Sequence, residues 1–256
     1  MLFTLVQTDI EWAAPERNRS DMERVIQAAP LSDLYVLPEM WSTGFAVHPE
    51  GIAEEEQGES LQWMRVMSRK LDAAMAGSIA THCADGTYRN RFYFVTPDGE
   101  AYYDKRHLFT YGGEPEHYTA GERRTVVEWR GVRFMLQVCY DLRFPVFSRN
   151  RNDYDCILYV ASWPASRIGV WNTLLKARAI ENQCYVVGVN RIGSDPRCDY
   201  TGHSQVVDAY GRVVAQCPQS EPACISAYID MDSLNRFRQK FPVLADRDTN
   251  ICLSPT

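Results

Sequence analysis

The sequence has no surplus of positive charge, no apolar run of membrane-spanning length and no paired cysteine spacing, and each absence removes a class of function. With 27 Lys+Arg against 33 Asp+Glu and a formal net charge of −6, the chain lacks the basic stripe that neutralises a phosphate backbone. No nucleic-acid partner is expected. Crossing a bilayer takes about 20 consecutive apolar residues, and no stretch approaches that, so no membrane partner is expected either. The opening MLFTLVQTDIEW has no basic leader region and reads as a first strand, which makes the cytoplasm the expected compartment. The eight cysteines, Cys83, Cys139, Cys156, Cys184, Cys198, Cys217, Cys224 and Cys252, are spread over 256 residues without a C-x-x-C pair. They read as reduced thiols, mostly small core residues. Five histidines are dispersed, with no H-E-x-x-H and no Cys/His quartet, so neither a metal nor a cofactor is expected.

What is present is a series of short apolar runs, at residues 2–7, 34–38, 73–80, 91–95, 133–138, 156–162, 184–189, 204–208 and 224–229. Their length, their β-branched and aromatic content and their lack of polar alternation predict strands buried on both faces. Such strands need cover, and apolar residues at three- and four-residue spacing over 15–29, 59–73 and 170–182 predict the helices that supply it. Asp98-Gly99, Arg130-Gly131 and Tyr210-Gly211 fall between strand-like runs and predict hairpin turns. The class is therefore α/β or α+β, mixed sheets with helices outside. With no linker, repeat or shift of composition, one domain is expected over 1–256.

Three segments carry chemistry. In LYVLPEMWSTGF, residues 34–45, Glu39 follows a buried strand, where the crevice of an α/β sheet forms. In YYDKRHLFTYGGEPEHYTAG, residues 102–121, Lys105 closes a hairpin strand and precedes a loop with Glu114 and Glu116; an ammonium there can stabilise a developing oxyanion. In FMLQVCYDLRFP, residues 134–145, Cys139 ends a strand just before a polar segment expected to start a helix. A helix N-terminus and an adjacent cation would stabilise its thiolate.

Glu39, Lys105 and Cys139, in that order and each at a strand end, resemble the nitrilase (carbon–nitrogen hydrolase) superfamily and its Nit-like branch. The matching motifs are LPEMWSTGF, YDKRHLF, CYDLRFP, RAIENQCYVV and GHSQVVDAYGRVV. The resemblance implies a four-layer α-β-β-α sandwich whose subunits pair through outer helices into a homodimer. It implies Cys139 as nucleophile, Glu39 as general base and Lys105 as electrophilic stabiliser, with the backbone N–H of Tyr140 at the oxyanion. It also implies a second glutamate in the loop after the lysine: Glu114 by its spacing to Gly121, with Glu116 as rival.

The compact length with CYDLRFP and HLF most resembles the ω-amidases, which take 2-oxoglutaramate and 2-oxosuccinamate with water as co-substrate. Such a substrate carries a carboxylate that a guanidinium can grip bidentately. Arg143, Arg167 and Arg191 are the candidates, Arg167 preferred, with Arg143 alternatively bridged to a nearby acid. Phe45, Phe109 and Trp163 are candidate apolar walls. Arg178, Glu181 and Asn182 read as packing and hydrogen-bonding residues. The segment SWPASR departs from the pattern of many eukaryotic ω-amidases. Three other readings stand beside this one: a carbamoylase, nitrilase or other amidase using the same groups, a Cys-His hydrolase using His107 or His203, and an inactive binding or scaffold protein of the same fold.

Overall fold

The computed structural model describes residues 1–248; Cys252 lies outside them. In chain order the elements are β1 (Leu2–Gln7), α1 (Pro15–Ala28), β2 (Leu34–Val36), β3 (Glu54–Glu55), α2 (Glu59–Leu71), β4 (Ala74–His82), β5 (Tyr88–Thr96), β6 (Gly99–Asp104), β7 (Val126–Trp129) and β8 (Val132–Val138). They continue with α3 (Pro145–Ser148), β9 (Cys156–Ala161), α4 (Ile168–Asn182), β10 (Tyr185–Asn190), β11 (Ile192–Ser194), β12 (Asp199–Thr201), β13 (Gln205–Val207), β14 (Val213–Gln216), β15 (Ala223–Tyr228) and α5 (Met231–Lys240). One sheet has the order β15-β1-β2-β4-β5-β6, with β3 on β4; the other runs β14-β13-β10-β9-β8-β7; β11 and β12 form a separate pair.

Strand alternation sorts the side chains into layers. Phe3 and Leu5 of β1, Leu34 and Val36 of β2 and Phe92 and Phe94 of β5 face Phe134, Leu136 and Val138 of β8 and Leu158 and Val160 of β9 between the two sheets. Residues one step along point outward. Tyr35, Met75 and Tyr93 meet Met22 and Ile26 of α1 and Leu61 and Met64 of α2, while Ile157, Tyr159 and Val186 meet Trp171, Leu175 and Ala179 of α4. Each such large side chain contributes on the order of 1.5–3 kcal/mol through burial. The result is the expected four-layer α-β-β-α sandwich. Among the described residues, no helix is long and apolar enough to cross a membrane.

The three expected helices and nine expected strands are all present, most with ends moved by one or two residues. The three expected hairpins join β5 to β6, β7 to β8 and β13 to β14; at the second, Arg130 (φ 46°) and Gly131 (φ 77°) both take the positive φ of a type I′ turn. Besides the short strands β3, β11 and β12, two features differ from expectation. The helix α5 is short and strongly charged, packing Leu234 with Met231 and Phe237 against the core; Asp230 caps it by accepting from Ser233 N–H (2.9 Å). The expected helix after Cys139 is instead a 3-10 turn over Cys139–Arg143 followed by the four-residue α3.

Parallel pairing of β8, β9 and β10 and of β1, β2 and β4 gathers strand C-terminal ends. Glu39 follows β2, Lys105 directly follows β6, Cys139 directly follows β8, and Ser162 directly follows β9.

Candidate active site

Cys139 has φ 44°, a left-handed backbone conformation unusual for a non-glycine residue. The following Tyr-Asp-Leu-Arg explains how it is held. Asp141 is fully buried, and its Oδ2 accepts from the Val138 N–H (2.9 Å) and the Tyr103 hydroxyl (2.9 Å). Its Oδ1 accepts from the backbone N–H (3.0 Å) and ring Nδ1 (2.8 Å) of His107. A carboxylate whose acceptor sites are all filled from the strand end and the neighbouring loop can offset a backbone strain of about 1–3 kcal/mol.

Opposite the thiol lies a buried charge cluster. Glu39 and Glu114 are 0% exposed and Lys105 1%. Lys105 Nζ donates to Glu39 Oε1 (2.9 Å) and to both oxygens of Glu114 (3.1 and 2.9 Å). Asn90 Nδ2 donates to Glu39 Oε1 (2.8 Å) and Glu114 Oε1 (3.1 Å), so it ties the two carboxylates together. Glu39 Oε2 accepts from the Ser162 N–H (2.8 Å), and Glu114 Oε2 from the Phe109 N–H (2.5 Å). The loop that carries Glu114 is closed at its base: Lys105 N–H donates to Asn90 O and Gly121 N–H to Lys105 O, both 3.0 Å. Gly121 permits this approach, since a Cβ there would stand 2.1 Å from Asp104 O. Glu116, the rival, is exposed.

The electrostatics follow from burial. Desolvation opposes the Lys105 ammonium, yet Glu114, Glu39 and the Cys139 sulfur outweigh it and hold the lysine pKa above its ordinary value. Burial pushes the Glu114 pKa up, with Lys105 pulling down and Glu39 pushing up. Burial, then the Glu39 charge, pushes the Cys139 thiol well above its ordinary value, more than Lys105 lowers it. The expected helix start after Cys139 is corrected to a short turn, and burial together with the Glu39 charge works against a thiolate there.

These groups open onto a cavity of about 110 Å³. Glu39, Lys105, Cys139, Tyr140, Phe45, Phe109, Trp163, Arg143 and Arg167 all line it, with Glu114 behind the lysine. Arg143 lies over the Trp163 ring (5.1 Å to the centroid) and Arg167 over Phe109 (5.4 Å). Among the described residues no acid bridges Arg143, contrary to one expectation, and Arg143 lines the cavity. Arg191 is elsewhere: it is fully buried and committed to Asp9 Oδ1 and to the carbonyls of Ile10, Ile192 and Ser194. Arg178 donates to Leu142 O and Glu181, and Asn182 bonds Asn150, as packing residues do. His107 is bound to Asp141 and stacked on Phe144, and His203 packs by Asn172; neither lines the cavity.

Several lining groups were not foreseen. Asn90, behind the lining, could have been noticed as a polar residue inside strand β5, while Asp195, Arg197, Cys198 and Tyr200 reach the cavity from β12 and the segment between β11 and β12, which no local pattern announces, and Trp12 reaches it from the segment after β1. Arg197 Nη1 donates to Gly112 O (3.2 Å). Among the described residues, no carboxylate pairs with Arg143, Arg167 or Arg197.

Residues 2–239 match the family described as carbon-nitrogen hydrolase. The chain is 46% identical over 252 residues to the omega-amidase YafV of Yersinia enterocolitica, covering 98% of each. It is 34% identical to the 2-oxoglutaramate amidase of Bacillus subtilis, covering 94% of this chain and 95% of that protein. Among solved structures it superposes, with a TM-score of 0.94 and 39% identity over 97% of both chains, on a CN-hydrolase superfamily protein of Xanthomonas campestris that carries an arsenic adduct in its active site. This chain belongs to the carbon-nitrogen hydrolase family.

Proposed function

We propose that this enzyme is an ω-amidase, hydrolysing the terminal amide of 2-oxoglutaramate and 2-oxosuccinamate to the 2-oxo dicarboxylate and ammonia. It acts as one catalytic domain, in the cytoplasm, in a homodimer formed through outer helices; Val170 and Ile180, exposed on α4, support that pairing. The observation that carries the substrate class is the set of three guanidiniums, Arg143, Arg167 and Arg197, without carboxylate partners among the described residues, around an apolar-walled cavity with a cysteine in its lining. An anionic end held by them leaves the amide end for the sulfur. The names of the relatives above point to the same substrates.

The mechanism uses the thiol in its neutral form. Glu39 takes the Cys139 proton as the sulfur attacks the amide carbonyl. The oxygen of the tetrahedral intermediate meets the Lys105 ammonium and the Tyr140 N–H, which stands in the first turn of its segment, where N–H groups have no intrahelical partner. The C–N bond breaks as Glu39 returns the proton to the departing ammonia, leaving a thioester. Water deprotonated by Glu39 then attacks that thioester, releasing the acid and restoring the thiol. Glu114 and Asn90 position Lys105 and Glu39. Trp163, Phe109 and Phe45 limit access of water to the charges.

The test is incubation of purified protein with 2-oxoglutaramate, following ammonia and 2-oxoglutarate, with Cys139→Ala alongside. Stoichiometric release by the wild type and none by the variant is expected. Hydrolysis of an uncharged amide of equal length at the same or a higher rate would overturn the substrate assignment.

A further inference from the structure

Outside the cavity, the donor atoms of His48, Glu50 and His117 lie within 4.8 Å of one another, and the His48 and His117 rings sit at 4.4 Å between centroids. His48 and Glu50 are close in sequence and His117 is distant from both, and none of the three takes part in the proposed reaction. We infer that they form a binding site for one divalent transition cation of the zinc class, with two imidazoles, one carboxylate and an open position for water.

The geometry supports this. Ligands at about 2.0–2.1 Å around a tetrahedral zinc stand roughly 3.3 Å apart; His117 Nδ1 and Glu50 Oε1 are already 3.3 Å apart. His48 is exposed, so its ring can turn to complete the set. The frame beneath is fixed. Val47 is buried and Pro49 with it, Pro49 O accepts from the N–H groups of Ile52 and Ala53 (2.9 and 2.8 Å), and the hydroxyl of buried Tyr118 donates to Ala46 O (2.6 Å). The donor set, nitrogen with one carboxylate oxygen, matches zinc, cobalt or nickel better than calcium or magnesium, which take oxygen shells. Sequence motifs miss such a site because one ligand comes from a loop 67 positions away from the carboxylate.

The site joins two working segments. One descends from Glu39 through Phe45 to Glu50; the other runs from Glu114 to Tyr118. A bound cation pins these two loops together beside the cavity, so its natural role is to stiffen the wall that bears Phe45 and the loop that carries Glu114.

The test uses the full chain with accessible thiols alkylated first, since Cys139 and Cys198 would also take soft metals. Titration with Co²⁺, read by visible absorption, and with Zn²⁺ in competition is expected to give one equivalent with a nitrogen/oxygen spectrum. His48→Ala and His117→Ala each weaken binding at least about tenfold, and Glu50→Gln does so independently. Metal raises the Tm of the wild type but not of the double His variant, and slows amide exchange in residues 46–50 and 113–118. No binding, or binding that these substitutions leave unchanged, overturns the inference.

Discussion

The floor and the mouth of the cavity are built on opposite principles. At the floor, Glu39, Lys105, Glu114 and Asn90 are buried and bonded to one another and to backbone N–H groups. At the mouth, Arg143, Arg167 and Arg197 rest on rings or a carbonyl and have no carboxylate among the described residues. Buried charges left unpaired cost several kcal/mol, so a reacting centre must arrive with its partners in place. Guanidiniums at a half-open rim remain hydrated and can wait for the substrate's own carboxylate. Floor changes should therefore strike kcat, and mouth changes KM.

The largest effect expected is at the thiol: Cys139→Ala lowers kcat by about four orders of magnitude or more, read as ammonia release. Glu39→Gln and Lys105→Met follow, with kcat down about a hundredfold to ten-thousandfold and little change in KM. Lys105→Met adds a second signature. It leaves two carboxylates together in a buried site, a loss of about 3–5 kcal/mol, and makes the variant more stable as pH falls, because Glu114, whose pKa is already raised, takes up a proton. A floor substitution that altered KM alone would break the comparison.

Next come the arginines. Arg167→Ala, Arg143→Ala and Arg197→Ala are each expected to raise KM for 2-oxoglutaramate by about tenfold to a hundredfold, the worth of a charged hydrogen bond of about 1.5–3 kcal/mol, with kcat nearly constant. An uncharged amide serves as control, since its weak turnover should not change. The three values rank the guanidiniums, which sharpens the comparison at the mouth.

The smallest effect concerns pH and the thiols away from both regions. Burial pushes Cys83 up to about 11, Cys217 up to about 12 and Cys224 up to about 11, from an ordinary value near 9. A group whose folded pKa is raised holds its proton more tightly in the native state. Its stabilisation is complete below about pH 9 and is lost as pH rises from 9 towards 12. The urea midpoint should be flat up to about pH 9 and fall beyond it, less steeply in Cys217→Ala; an identical slope in that variant would remove Cys217 from the account.

How much of this was legible in the sequence differs between the same two regions. Floor residues sit at strand ends, so the apolar runs that predict β2 and β8, and the hairpin that predicts β6, also predict where Glu39, Cys139 and Lys105 emerge. Face-to-face packing of the two sheets then brings those strand ends together. The role of Asp141 was hidden, because a carboxylate satisfied by Val138, Tyr103 and His107 is a product of three elements meeting. At the mouth, Arg143 and Arg167 were visible as loop cations, while Arg197 was not, since β11 and β12 are too short to show a pattern. Arg191 misled for a related reason: a buried guanidinium surrounded by carbonyls looks, in sequence, like one left free for a ligand.

The most direct test of the central claim is rapid-quench mass spectrometry of the wild type and Glu39→Gln turning over 2-oxoglutaramate. A neutral thiol activated by Glu39 predicts a 2-oxoglutaryl thioester on the Cys139 peptide in the wild type during turnover, and a much slower appearance of it in the variant. An adduct that forms at the wild-type rate in Glu39→Gln, or turnover with no adduct on Cys139, would contradict it.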